Sequence, residues 1–176
     1  MDLRGVAAAL GRTARLLRRR PTAGLHDDAP ATARWHGGTR ICTRHADGHE
    51  SWTDMPPGLG GSQGGPTPGW LLRAGVASCT ATVIAMTAAM EGIELEALEV
   101  EVHSRSDTRG VLGLRGEDGE EVDAGPRDFR MHVRLSAHGT ADAALQALVA
   151  TACHRCPMAN AIQSALPLPV SVEVVR

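Results

Sequence analysis

Tyrosine is absent from this chain of 176 residues, and phenylalanine occurs once, as Phe129. Trp35, Trp52 and Trp70 complete the aromatic set. A core with so few large rings must be packed by Ala, Val and Leu, which let helices approach closely but bury little area each. Burial stabilises by only about 25 cal/mol per Å², so a second subunit is expected to supply part of the core. The same shortage removes any platform on which nucleobases stack. A formal charge of −2 gives no electrostatic reason to bind nucleic acid either. The apolar run Val6–Leu10 is too short for a secretory core or a membrane span. No membrane association is expected, and a cytoplasmic location is. The stretch from Arg15 to Arg20 has two readings: a helix end with cations at its C-terminus, or an organelle transit segment. Pro21 follows as a stop signal and favours the helix end.

What is present suits a folded domain: 43% hydrophobic and 22% charged residues in a chain of single-domain length. Leu3, Val6, Leu10, Ala14 and Leu17 recur at helical spacing and predict an amphipathic helix over 3–20. A polar linker runs from Pro21 to Pro30. Three short strands are expected at Ala31–His36, Arg40–His45 and Glu50–Thr53, joined by turns at Gly37-Gly38 and Asp47-Gly48. Residues 54–69 form a Gly- and Pro-rich loop without the Gly-Lys-Ser/Thr ending of a phosphate loop.

Thr67-Pro68 reads as an N-cap followed by proline at the first helical position, and Gly92 as the stop. The helix between them is small-sided and apolar almost all round, so burial is expected. Strands are predicted at 97–105 and from Phe129 to Leu135. They flank a polar, glycine-rich segment (106–127) that holds the apolar island Val111–Leu114. A helix from Ala141 to about Cys153, a short helix from Pro157 to about Leu166, and a last strand at Val170–Val175 complete the chain. Strands and helices segregate by region, which predicts an α+β fold. The division expected is 1–30 as N-terminal helix and linker, and 31–176 as the main domain.

The four cysteines are the candidate chemistry. In a reducing compartment such residues are more often redox-active, metal-bound or merely buried than structurally bridged. Cys156-Pro157 places Cys156 at the N-cap of a short helix, where free N–H groups favour a thiolate; the competing reading is a cysteine that happens to precede a helix break. Cys79, in the middle of a buried helix, is by default a small hydrophobe. Its activation requires a cation from elsewhere, Arg40 and Arg73 being candidates. Cys153 and Cys156 form a CxxC with three readings: a thioredoxin-like motif, half of a zinc site, or a functional Cys156 with Cys153 as accessory thiol. The third is preferred, because Cys153 ends a helix instead of starting one, and no second CxxC supplies further ligands. Cys42, in a strand, reads as structural.

A family resemblance then emerges. Gly65-Pro66-Thr67-Pro68, Leu71-Leu72 and Ala77-Ser78-Cys79-Thr80 resemble the approach of the OsmC/Ohr superfamily to its first cysteine. Trp35-His36-Gly37-Gly38-Thr39-Arg40 and Asp54-Met55-Pro56-Pro57 resemble its first hairpin and loop, and Cys156-Pro157-Met158 its second-cysteine motif. Asp107–Leu114 resembles an insert of one subgroup. The likeness covers about 31–176. It implies two antiparallel sheets wrapped around central helices in an intertwined homodimer, with active sites at the subunit interface.

It also implies that Cys79 and Cys156 reduce an organic hydroperoxide, or another small apolar substrate, through a sulfenic acid and a disulfide. An external thiol reductant restores the pair, dihydrolipoyl groups in some relatives. No metal or other cofactor is needed. Family peroxidases carry a glutamate ten residues before the first cysteine, where this chain has Gly69. Their activating arginine follows the Gly-Gly, where Thr39 precedes Arg40. The departure supports a second reading, a non-catalytic or differently specialised small-molecule-binding protein.

Overall fold

The computed structural model describes residues 3–164 and 166–175. The amphipathic N-terminal segment forms α1 (Leu3–Arg19), and a single 3-10 turn (Pro21–Gly24) occupies part of the linker. β1 (Thr32–Trp35), β2 (Ile41–Arg44) and β3 (Glu50–Thr53) pair antiparallel in chain order. The first turn needs left-handed backbone at both glycines (φ +94° and +55° at Gly37 and Gly38), which only glycine adopts without strain.

The central element is α2 (Pro68–Glu91). Its ends lie where local chemistry puts them. Thr67 accepts the N–H of Trp70 at 3.3 Å, Pro68 opens the helix, and Gly92 at φ +71° returns its N–H to the last carbonyls. β4 (Leu95–Arg105) and β5 (Arg127–Ala137) form a second antiparallel sheet in which Val100 faces Val133 and Leu98 faces Leu135. Between them the insert contains one short helical turn, α3 (Thr108–Val111), and leaves Val111, Leu112 and Leu114 exposed. α4 (Asp142–Arg155) and α5 (Pro157–Gln163) meet at Cys156.

The core lies where α2 and α4 cover the inner face of β4–β5. Ile84, Ala88, Leu145, Leu148 and Ala152 are buried there, with Val83, Ile93, Leu95 and Val133 packed around them. α1 rests on α2. The architecture is α+β with two small antiparallel sheets, as the segregation of elements predicts.

Two expectations need correction. α2 is not buried all round. Val76, Thr80, Ile84, Thr87 and Ala88 face the core, while Trp70 and Met90 are 51% and 56% exposed and Leu72 lies at the surface. Length and composition alone would let α2 cross a membrane, but its contacts with α1, β4, α4 and α5 place it inside the fold. Val170–Val175 does not form a strand. The alternation is there, but none of the described strands pairs with it, and Val170, Val172 and Val174 are at least 80% exposed. A strand needs a neighbouring ladder as well as a pattern.

Candidate active site

α2 and the elbow between α4 and α5 bring two cysteines together that lie 77 positions apart (156 − 79). Cys156 is fully buried and is the N-cap residue of α5. Its carbonyl accepts the backbone N–H of Asn160 at 3.0 Å and the Asn160 side chain at 2.8 Å, which fixes the elbow. Thr80 and Cys156 form a buried hydroxyl–sulfur contact of 3.3 Å. Thr80 itself has none of its surface exposed, so this contact is sealed from solvent. Cys79, one position earlier on α2, is half-buried, and its thiol and that of Cys156 titrate as interacting groups.

The two sulfurs are pushed in opposite directions. At Cys156, burial opposes ionisation. The Thr80 hydroxyl, the N–H of Ala159, the Cys79 thiol and the N–H of Met158 all favour the anion and outweigh burial, so the thiol is more acidic than usual. The sulfur makes no cap hydrogen bond of ordinary length, so the two N–H groups act on it through space. At Cys79, burial raises the thiol, and hydrogen bonding and charge from Cys156 add to it, against some relief from the N–H of Met158. Of the two thiols, Cys156 is therefore the one that gives up its proton more readily. All four cysteines are free. Among the described residues no cluster of His, Cys, Asp or Glu has the makings of a metal site.

The protein-family model for OsmC-like proteins matches residues 60–171. The chain belongs to the OsmC-like family. Its fold matches those of solved family members. An OsmC-like protein from Mycoplasma pneumoniae superposes with a TM-score of 0.65 at 18% identity, over 79% of this chain and 89% of that one. An organic hydroperoxide resistance protein from Legionella pneumophila is 28% identical, with a TM-score of 0.53 over 78% and 92%. Another, from Elizabethkingia anophelis, is 22% identical, with a TM-score of 0.58 over 79% and 90%. No curated protein matches.

Within this OsmC-like chain the remaining candidates sit on several different elements. Arg40 is exposed on the three-stranded sheet, its guanidinium 4.7 Å from the centroid of the Trp52 ring. It is not among the groups that shift Cys79, so in the single chain it does not activate that thiol. Arg73 donates to Ser104 on β4 at 3.2 Å. Gly69 is exposed in the first turn of α2. Cys42 is buried on the face of the N-terminal sheet and lines a cavity of about 480 Å³ with Arg34, Arg44 and Trp52. Cys153 stands half-buried in the last turn of α4.

Sequence reasoning missed Thr80. Its signal was a hydroxyl beside a cysteine on an otherwise apolar helix face. It also missed the buried carboxylate of Asp54, which accepts from the Thr39 hydroxyl at 2.6 Å, the Ser62 hydroxyl at 2.7 Å, and the N–H groups of Met55, Ser62 and Gly64. The resulting loop leaves Gly61 no room for a side chain, since a β-carbon there would lie 1.8 Å from the Met55 carbonyl oxygen.

Proposed function

We propose that this OsmC-like protein is a thiol-dependent oxidoreductase that reduces organic hydroperoxides through Cys79 and Cys156. The reading is carried by the interaction of these two thiols across the α2–elbow junction. The Legionella pneumophila neighbour, an organic hydroperoxide resistance protein, supports the substrate class. Cys79 is the attacking sulfur, because Cys156 is sealed from solvent.

The missing glutamate at Gly69 leaves the activation of Cys79 to its neighbour. The Cys156 thiolate takes the Cys79 proton as the peroxide enters. The Cys79 thiolate attacks the distal oxygen and the O–O bond breaks. The departing alkoxide recovers the proton from Cys156, leaving an alcohol and a sulfenic acid on Cys79. The Cys156 thiolate then attacks the Cys79 sulfur and expels hydroxide, forming the disulfide. Two electrons pass from the thiols to the peroxide. An external dithiol of the dihydrolipoyl type resets the pair, and the cycle runs in the cytoplasm, where thiols stay reduced.

The working unit is a homodimer. The exposed face of α2 and the unladdered Val170, Val172 and Val174 are the surfaces a second copy covers. Met90→Glu is expected to shift sedimentation toward the monomer, and an unchanged profile counts against that interface.

The decisive experiment mixes reduced protein with a small excess of cumene hydroperoxide and counts free thiols. The wild type is expected to lose two thiols, and Cys79→Ser none. An unchanged wild-type count rejects the cycle. It favours the second reading, a non-catalytic small-molecule-binding member of the family, for which the absent carboxylate at Gly69 is the supporting observation.

A further inference from the structure

The elbow carries a third thiol that the Cys79–Cys156 cycle leaves unused. The N–H of Cys156 donates to the carbonyl of Cys153 at 3.2 Å. An i to i+3 closure of this kind keeps the two α-carbons within about 7 Å, and disulfides usually span about 4.4–6.8 Å between α-carbons. Asn160 braces the same turn by donating to the carbonyls of His154 at 3.0 Å and Cys156 at 2.8 Å. The backbone is therefore held near bridging distance, and side-chain rotation completes the approach. Burial and then the charge on Cys156 raise the Cys153 thiol, so the two sulfurs already sense one another. Access differs between them: Cys156 is sealed, and Cys153 is half-buried on the last turn of α4.

We propose that Cys153 is the exit thiol of a three-cysteine relay, taking the disulfide over from Cys79 and presenting it to an external dithiol at the C-terminal end of α4. The inference rests on Cys79 and Cys156 being the pair first oxidised. In the exchange, the Cys153 thiolate attacks the Cys156 sulfur. The Cys153–Cys156 bond forms as the Cys79–Cys156 bond breaks. Cys79 leaves as a thiolate and recovers the proton that Cys153 gave up, with no net change in oxidation state. The external dithiol then attacks the Cys153 sulfur, closes to its own cyclic disulfide, and returns Cys153 and Cys156 as thiols.

Peptide mapping resolves the links directly. The chain has no lysine, so trypsin cuts only after arginine and puts Cys79 on 74–105, Cys153 on 135–155 and Cys156 on 156–176. Reduced full-length protein is treated with one equivalent of cumene hydroperoxide or, separately, of diamide, then quenched in acid over a time course. The wild type is expected to show the 79–156 link first and the 153–156 link in its place later. Cys153→Ser is expected to stop at 79–156 and to be reduced by dihydrolipoic acid roughly tenfold more slowly. A wild type that holds only the 79–156 link with both oxidants overturns the relay, as does Cys153→Ser reduced at the wild-type rate. If the hydroperoxide leaves every thiol intact while diamide yields the 79–156 and then the 153–156 link, the peroxide cycle falls and the exchange stands.

Discussion

Two buried acidic groups in this molecule are held by the same kinds of donor and do different work. Asp54, in the loop between the three-stranded sheet and α2, is 3% exposed and ringed by two hydroxyls and three backbone N–H groups. Cys156, at the elbow of α4 and α5, is fully buried and faces one hydroxyl, two N–H groups and one thiol. Every donor to Asp54 keeps its proton at any working pH, so that centre is architecture. One partner of Cys156 is itself an acid that can give its proton up, so that centre can do chemistry. What separates a structural anion from a reactive one here is the presence of a titratable neighbour.

The harshest way to break the comparison is at Asp54. Asp54→Ala strands the N–H groups of Ser62 and Gly64, and the thermal midpoint is expected to fall by roughly 5–10 °C. Thiol titration of the folded variant should be unaltered. The acid limb of stability gives a second handle. The donors around Asp54, led by the Thr39 hydroxyl, hold its carboxyl well below the usual range. As pH falls, the unfolded chain therefore takes up this proton first. The stability due to Asp54 is present above about pH 4 and is lost below it. Urea midpoints at pH 7 and about pH 2.5 should differ less in Asp54→Asn than in the wild type.

A finer test sharpens the other side. Thr80→Val removes the hydroxyl from Cys156 and moves that thiol upward toward its ordinary range. Absorbance of the thiolate near 240 nm should then rise at higher pH, and peroxide-driven thiol loss should slow roughly tenfold. Thr80→Ser, which restores a hydroxyl, should recover most of both. The smallest effect is expected from Arg40→Ala, which forfeits a stacking contact on Trp52 worth about 0.5–1 kcal/mol at an exposed site. Its rate of thiol loss should stay within about twofold of wild type; a larger drop assigns Arg40 of a second copy to the site.

How much of this was legible in the sequence depends on the range of the interaction. The boundaries of α2 were readable because Thr67, Pro68 and Gly92 act within one turn of themselves. The hairpins were readable because glycine at Gly37, Gly38 and Gly48 answers a local demand for positive φ. The Cys156 N-cap was readable for the same reason, since Pro157 marks the helix start. Thr80 was not, because its contact with Cys156 spans 76 positions. Nor was Asp54, whose neighbours are gathered by a loop that carries no periodic signal. Val170–Val175 shows the opposite failure: the pattern of a strand was legible, but none of the described strands pairs with it.

The scarcity of aromatic residues has a practical corollary in Trp52 and Trp70. With no tyrosine, every ultraviolet emission signal comes from the three indoles. Trp52 lies between Arg40 and His36, its ring centroid 4.8 Å from that of the histidine, whereas Trp70 projects from the bare side of α2. A change of emission on loss of the Arg40 contact would mark the first indole, and ready quenching by added acrylamide the second. The protein thus carries two built-in optical channels, one for the integrity of its small sheet and one for the exposed side of α2.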